Sequence, residues 1–266
     1  MKKHLLKGLL LLATVTLGAC SGETTAGTTD QTTVDTIKEA GVLRVGVKDD
    51  VPNFGLRNTA TNEIEGFEID LAKKVAEEIL GDPDAIEFTP VTAKTRGPLV
   101  DNGEVDLLIS TFTITDERKE TYNFTEPYYQ DAVGILVKKD KGYEGLKDMD
   151  GATIGVSQSS TTSGLIDEEA EQYGITLKYS EFATYPEIKA ALDSNRVDAF
   201  SVDRSILNGY SDDSTVILPD RFGTQDYGAV TKKTNTELAE YLNDLVNGWL
   251  DDGTIDAMIA EWGLSE

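Results

Sequence analysis

Histidine and cysteine are nearly absent from this chain of 266 residues: there is one of each, His4 and Cys20, both at its beginning. Neither a Ser/His/Asp or Cys/His nucleophilic site nor a His/Cys zinc site can be assembled from the remainder of the chain. A lone cysteine also makes no internal disulfide, so cysteine usage is silent on redox compartment. Positive charge is scarce as well. Lys and Arg number 24 against 48 Asp and Glu, giving a formal charge of −24. No basic stripe exists to neutralise phosphates, which excludes a nucleic-acid partner. The apolar run between Lys7 and Cys20 is shorter than the roughly 20 residues needed to span a bilayer.

What is present has a clear order. Lys2, Lys3 and Lys7, the apolar run and the small residues of LGAC (17–20) form a secretory signal over residues 1–19. SGETTAGTTDQTTVD (21–35) has six threonines, two glycines and no aromatic residue. Such a segment cannot bury enough to order itself, and residues 20–35 are expected to be a flexible tether. A short helix near 34–40, stopped by Gly41, opens the ordered part, and LRVGVK (43–48) is a strand. DDVPNFGLRNTATNEIEGFE is a loop and β-hairpin. Leu71, Ala72, Val75, Ala76, Ile79 and Leu80 mark one face of a helix that Gly81 terminates. AIEFTPV is the next strand, 95–102 a short helix, and Val105 to Ile109 an apolar run of buried-strand length.

This β-α-β-α-β order predicts an α/β fold with a doubly wound parallel sheet. After PYYQD the pattern restarts. AVGILVKK and TIGVS are strands, SSTTSGLIDEEAEQYG a helix, TLKYSEF a strand, 185–195 a helix and DAFSVD (198–203) a strand. YGAVTKK (227–233) and helices after Thr234 finish the chain. Two doubly wound lobes fit: 36–129 with 227–266, and 132–224, joined by a two-crossing hinge near 129–132 and 224–228.

Chemistry concentrates in VDLLISTFTITDERK (105–119). Thr111, Thr113 and Thr115 are spaced by two, and Thr115 or Asp116 N-caps a short helix carrying Arg118. Fixed donors at a strand's carboxyl end lie where open α/β sheets bind ligands. Arg118 offers a planar fork matched to a carboxylate, and Thr113 a hydroxyl donor. Taken alone, the motif fits a surface turn with a solvated arginine equally well. TIGVSQSSTT places Ser160, Thr161 and Thr162 at a helix N-terminus, which favours an anion but is also a common plain cap. Asp203 ends an apolar strand and equally suits the N-cap of a helix over 204–210.

With GFEIDLAKKVAEE (66–78) before it and YNFTEPYY (122–129) after it, this stretch resembles the extracytoplasmic solute-binding proteins of bacterial ABC importers, polar amino acid family (family 3). The resemblance runs from Leu43 to Gly263. VGVKDDVPNFG and KTRGPLVDNGEVD are most like the members that bind aspartate and glutamate. The family implies the type II periplasmic-binding-protein architecture, C-terminal helices that return to the first lobe, and a ligand enclosed by hinge closure. It implies an ABC permease and its ATPase as partners, a working monomer, and no cofactor, metal or catalytic residue. LGAC resembles the bacterial lipobox, which implies cleavage before Cys20, lipidation of its thiol and membrane contact through that anchor alone.

The resemblance also distributes roles. Arg118 and Thr113 in one lobe, with Ser160, Thr161 and Thr162 in the other, are expected on the α-carboxylate. Asp203, with backbone carbonyls of Ser110 and Thr111, is expected on the α-ammonium. Lys48 and Arg96 are expected at the side-chain terminus. Two converging cations are costly without an anion, so glutamate or aspartate is expected over glutamine or another polar amino acid. Phe54 and Phe67 are walls around the methylenes or core. Tyr185 and Tyr227 line the site, Tyr227 at the second crossing. The same fold has been adapted to dehydratases, which would need a positioned acid–base group that a chain without histidine beyond His4 is poorly equipped to supply.

Overall fold

The computed structural model describes residues 32–265, so the signal segment, Cys20 and the tether to residue 31 lie outside the described residues. Helix α1 (Val34–Ala40) begins on Thr33, whose hydroxyl accepts from Thr36 N. The last two residues of the expected tether are therefore helical, held because Val34 and Ile37 are buried. Strand β1 (Leu43–Val47) comes next, then a small antiparallel sheet of β2 (Asp50–Val51), β3 (Gly55–Arg57) and β4 (Ile64–Glu65). Helix α2 (Phe67–Leu80) starts directly at the end of this hairpin, so Phe67 and Glu68 are its first residues rather than hairpin. Gly66 allows that entry. Its φ is 147°, and a Cβ there would stand 2.2 Å from the Phe54 carbonyl oxygen.

Strands β5 (Ile86–Pro90) and β6 (Leu107–Ile109) flank β1 in parallel, with α3 (Arg96–Asp101) between them in sequence. Then come α4 (Asp116–Thr121) and β7 (Tyr122–Phe124). The second sheet is built from β8 (Tyr129–Lys138), β9 (Thr153–Ser157), β10 (Lys178–Phe182) and β11 (Ala199–Asp203), with α5 (Thr162–Tyr173), α6 (Tyr185–Asp193) and α7 (Arg204–Tyr210) in the connections. Strands β12 (Thr215–Ile217) and β13 (Phe222–Tyr227) both pair with β8. The chain then re-enters the first sheet as β14 (Val230–Lys232), followed by α8 (Thr236–Asp251) and α9 (Thr254–Glu261).

Two lobes result, one around the order β5-β1-β6-β14-β7 and the other around β10-β9-β11-β8-β12. Neither sheet is parallel throughout, contrary to the sequence expectation. β14 is antiparallel to β6 and β7, and β8 is antiparallel to β11, β12 and β13. The cause is the hinge. β8 leaves the first lobe and β13 returns to it side by side, with Tyr129 opposite Tyr227 and Asp131 opposite Gln225, and two such strands must run in opposite directions. The C-terminal helices return to the first lobe, where the Trp262 indole donates to Asp70 Oδ2 at 2.8 Å and Asn243 Oδ1 accepts from Glu126 N at 2.8 Å.

Candidate functional site

Three short strands end at the cleft, and their last residues build its first wall. β6 runs out into Ser110 and Thr111, both buried, and Thr111 has φ of 48°, an unfavourable conformation for a β-branched residue. Two charged side chains hold it. Glu68 Oε1 accepts from Thr111 N at 2.6 Å and from the Tyr128 hydroxyl at 2.5 Å. Arg96 Nη1 donates to the carbonyls of Ser110 at 2.6 Å and Thr111 at 3.0 Å. The carbonyls expected to receive a ligand ammonium are thus turned onto Arg96. Glu68, hidden from the helix pattern because its segment reads as hairpin, is the residue that fixes this turn. Burial pushes its carboxyl up to about 7, opposed by the two hydrogen bonds and by Arg96 and Lys48. Burial likewise lowers Arg96.

Arg118 approaches from α4, whose N-cap is Thr115: its hydroxyl accepts from Arg118 N at 3.1 Å. Arg118 Nη1 donates to the Thr113 carbonyl at 2.7 Å, and Nη2 crosses the cleft to the Ser159 carbonyl at 3.3 Å. Both guanidiniums lie against one ring, with Arg96 at 3.9 Å and Arg118 at 4.7 Å from the Phe112 centroid. Phe112 carries no polar signal in the sequence; it is the aromatic residue hidden between the alternating threonines. Burial, then the neighbouring Arg96, draw Arg118 down to about 10, while Asp203 acts in the other direction.

Across the cleft, α5 begins at Thr162 with no side-chain cap, leaving its first N–H groups without the usual hydroxyl acceptor. Ser160 Oγ donates to the Ser157 carbonyl at 2.8 Å instead. Thr161 and Thr113 both donate to Gln225 Oε1, at 3.0 and 2.7 Å, so one amide on the returning hinge strand ties a hydroxyl from each lobe. The Thr113 and Thr161 hydroxyls are therefore engaged with Gln225, not turned into the cleft separately. Gln225 had no motif to betray it.

Asp203 ends β11 and occupies the N-cap position of α7, but its side chain makes no capping hydrogen bond. That task falls to Asp131, whose Oδ2 accepts from Ser205 N at 3.0 Å. Asp203 is left to face the cleft with Oδ2 accepting a short hydrogen bond from the Tyr227 hydroxyl. Burial, reinforced by Asp131, pushes its carboxyl up to about 7 against the Tyr227 hydrogen bond and the two arginines. Such a group gains most when a cation arrives beside it.

Lys48 is buried and forms an ion pair with Asp50, Nζ to Oδ1 at 2.9 Å, and its ammonium sits 4.8 Å from the centre of the Tyr185 ring. The expected pair of uncompensated cations is thus only half present: Lys48 carries its own counter-charge. Asp50 Oδ2 also accepts from Tyr185 N at 3.2 Å, and the Tyr210 hydroxyl donates to the Asp50 carbonyl, both from the opposite lobe. Phe54 and Phe67 are core. They pack with Tyr128, Tyr129 and Tyr227 at the hinge, Phe54 at 5.1 Å from Tyr129 and 6.0 Å from Tyr227 between ring centres.

Charged groups from both lobes thus converge at the strand ends, a geometry that can grip a zwitterion between them. Residues 43–265 match the family model of bacterial extracellular solute-binding proteins, family 3. The chain belongs to that family. It is 39% identical over 233 residues to the glutamine-binding protein of Geobacillus stearothermophilus, covering 86% of this chain and 85% of that one. The similarity to the ABC transporter glutamine-binding protein of Bacillus subtilis is 34% over 259 residues, 95% of this chain and 93% of that one. The glutamate-binding protein of Corynebacterium glutamicum is 31% identical over 267 residues, 96% and 88% of the two chains. Among solved structures, an ancestral arginine-binding protein bound to glutamine superposes with a TM-score of 0.74 at 32% identity, over 84% of this chain and 97% of that one. This family 3 solute-binding protein shares with them its two-lobe, type II architecture.

Proposed function

We propose that this protein is the lipid-anchored receptor of an ABC amino acid importer, and that it encloses glutamine between its lobes for delivery to a permease. The observation that carries the reading is the divided clamp. Arg118 and the uncapped start of α5 stand on opposite lobes to hold an α-carboxylate, and Asp203 stands ready for the α-ammonium. Cys20, at the end of a signal segment, is the proposed anchor. Glutamine is favoured because two glutamine-binding relatives match over most of their length, and because Lys48 already has Asp50 beside it.

Glutamate is the second reading. It is supported by the Corynebacterium relative and by Arg96, whose Nε is buried without a hydrogen-bond partner. An enzymatic role has less behind it: a solved neighbour is an ancestral amino acid-binding protein described as a precursor of cyclohexadienyl dehydratase, at 28% identity and a TM-score of 0.76. Calorimetric titration of the purified protein with each common amino acid tests all three. Tight 1:1 binding of glutamine is expected. Silence toward every amino acid, or product formation from a candidate substrate, would refute the receptor reading.

A further inference from the structure

Building on the receptor reading, we propose that Gln225 is a positioning residue for the ligand's α-ammonium: it takes the protons of the Thr113 and Thr161 hydroxyls and so fixes both as acceptors toward the cleft. Gln225 is buried on β13, two residues before Tyr227 and on the same face of that strand. Its Nε2 donates to the Thr224 carbonyl at 3.1 Å, which settles the orientation of the amide. Turned the other way, the amide would set two oxygens facing each other across that gap. Oε1 is therefore the atom that meets the Thr113 hydroxyl at 2.7 Å and the Thr161 hydroxyl at 3.0 Å, and an amide oxygen can only accept.

A hydroxyl has one proton and two lone pairs. With the proton committed to Gln225, each threonine side chain has only acceptor capacity left for a ligand. That reverses the sequence expectation, in which both residues serve the α-carboxylate. Their place in the fold agrees with the new role. Thr113 forms a β-bridge with Tyr227, whose hydroxyl meets Asp203, the carboxylate proposed for the ammonium. Ile114 N donates to the Asp226 carbonyl at 2.7 Å, so the Thr113 segment is held against β13 through its backbone as well. The α-carboxylate keeps donors that no hydroxyl needs to supply, Arg118 and the first N–H groups of α5. A neutral acceptor also suits this point of the hinge. Asp131 is the partner of Gln225 across the β8–β13 pair and already reinforces the rise of the Asp203 carboxyl, so a carboxylate in place of the amide would add a third acid to that group.

The test is competitive calorimetry with L-glutamine and its des-amino analogue glutaramate, which keeps the carboxylate and the carboxamide but has no ammonium. The proteins are the wild type, Gln225→Met, Thr113→Val and the double variant. Gln225→Met keeps the length of the side chain and removes its acceptor, so it should weaken glutamine by about five- to tenfold and leave glutaramate within about threefold. Thr113→Val should separate the two compounds in the same way, and the double variant should bind glutamine within about twofold of Thr113→Val. Equal weakening of both compounds in Gln225→Met would mean that the amide merely ties the lobes together, and equal weakening in Thr113→Val would mean that the hydroxyl donates to the carboxylate. Either result overturns the proposal, as does a Gln225→Met variant that binds glutamine as tightly as the wild type. If glutaramate fails to displace glutamine from the wild type, the double variant decides, and additive losses overturn the proposal. If Gln225→Met fails to fold by circular dichroism, Thr113→Val decides through the two compounds. A wild type that binds no amino acid refutes the receptor reading itself. One that prefers another amino acid refutes only the choice of glutamine, and the same comparison is then made with that amino acid and its des-amino analogue. A wild type that binds glutamine, with variants that behave in one of the contrary ways, refutes only the role of Gln225.

Discussion

Replacing Arg118 with alanine separates binding from folding, because the side chain is costly to the empty protein and useful to the filled one. Its guanidinium is drawn below its ordinary pKa by burial and by Arg96, so the empty protein gains little by keeping it. Its fixed contacts in the protein are two backbone carbonyls, at 2.7 and 3.3 Å, and the face of Phe112. Arg118→Ala is therefore expected to leave the ligand-free melting temperature within about 4 °C of wild type, the change corresponding to roughly 1 kcal/mol in a protein of this size. With ligand the outcome reverses. Truncating one partner of a desolvated charged pair costs about 2 to 5 kcal/mol, or ~30-fold to several thousand-fold in affinity. Glutamine at about 100 times its Kd stabilises the wild type by roughly 2.7 kcal/mol, which raises melting by about 5 to 11 °C. At the same glutamine concentration the variant should show at most about a third of that rise, and almost none if the loss is about a thousandfold. Calorimetry and thermal melts on both proteins decide the matter. A variant that binds within a few-fold of wild type, or one that loses ten degrees of ligand-free stability while still binding, would refute the assignment.

Gly209, in α7, is a lever on closure, because a Cβ there would stand 2.4 Å from the Pro52 ring across the cleft. Gly209→Ala should hold or raise ligand-free stability, since alanine is the better helix former by about 1 kcal/mol. It should nonetheless weaken ligand and blunt the ligand-induced fall in radius of gyration seen by small-angle scattering; unaltered compaction would count against steric control. Asp203 is pushed up to about 7 from its ordinary value, so the folded protein holds a proton that the unfolded chain releases near pH 4. That contribution to stability is full below about pH 4 and lost as pH rises through 7, whereas an arriving ammonium needs the ionised form. Glutamine affinity should thus weaken below pH 7, by up to about tenfold per pH unit for each proton released, and Tyr227→Phe, which removes a hydrogen bond that lowers the Asp203 pKa, should move that onset to higher pH. Titrations between pH 5 and 8 in buffers of different ionisation enthalpy, covering a range of about three units, would expose a flat profile as the contrary result.

The sequence by itself determined what kind of site was possible and roughly where. Without histidine or cysteine past residue 20, the chain had only carboxylates, lysine, arginine, hydroxyls and backbone to work with. Apolar runs set the strands β1, β6 and β11, and Lys48, Ser110 and Asp203 stand at their ends because the run of apolar residues stops there. Periodicity also gave the helix faces, through patterns such as Leu71, Val75 and Ile79, all buried in α2. Partnership was decided only in three dimensions. Asp50 and Lys48 are close in sequence, yet their ion pair is locked by Tyr185, more than a hundred positions away. Gln225 joins Thr113 to Thr161 because the hinge brings β13 between the lobes, and no local signal announces such a bridge. Glu68 escapes a reading by pattern because a charged residue buried at a helix start breaks the amphipathic repeat it belongs to. Hydrophobic patterning records which side of an element faces inward, whereas the neutralisation of a buried charge depends on groups that meet only when distant segments fold against each other.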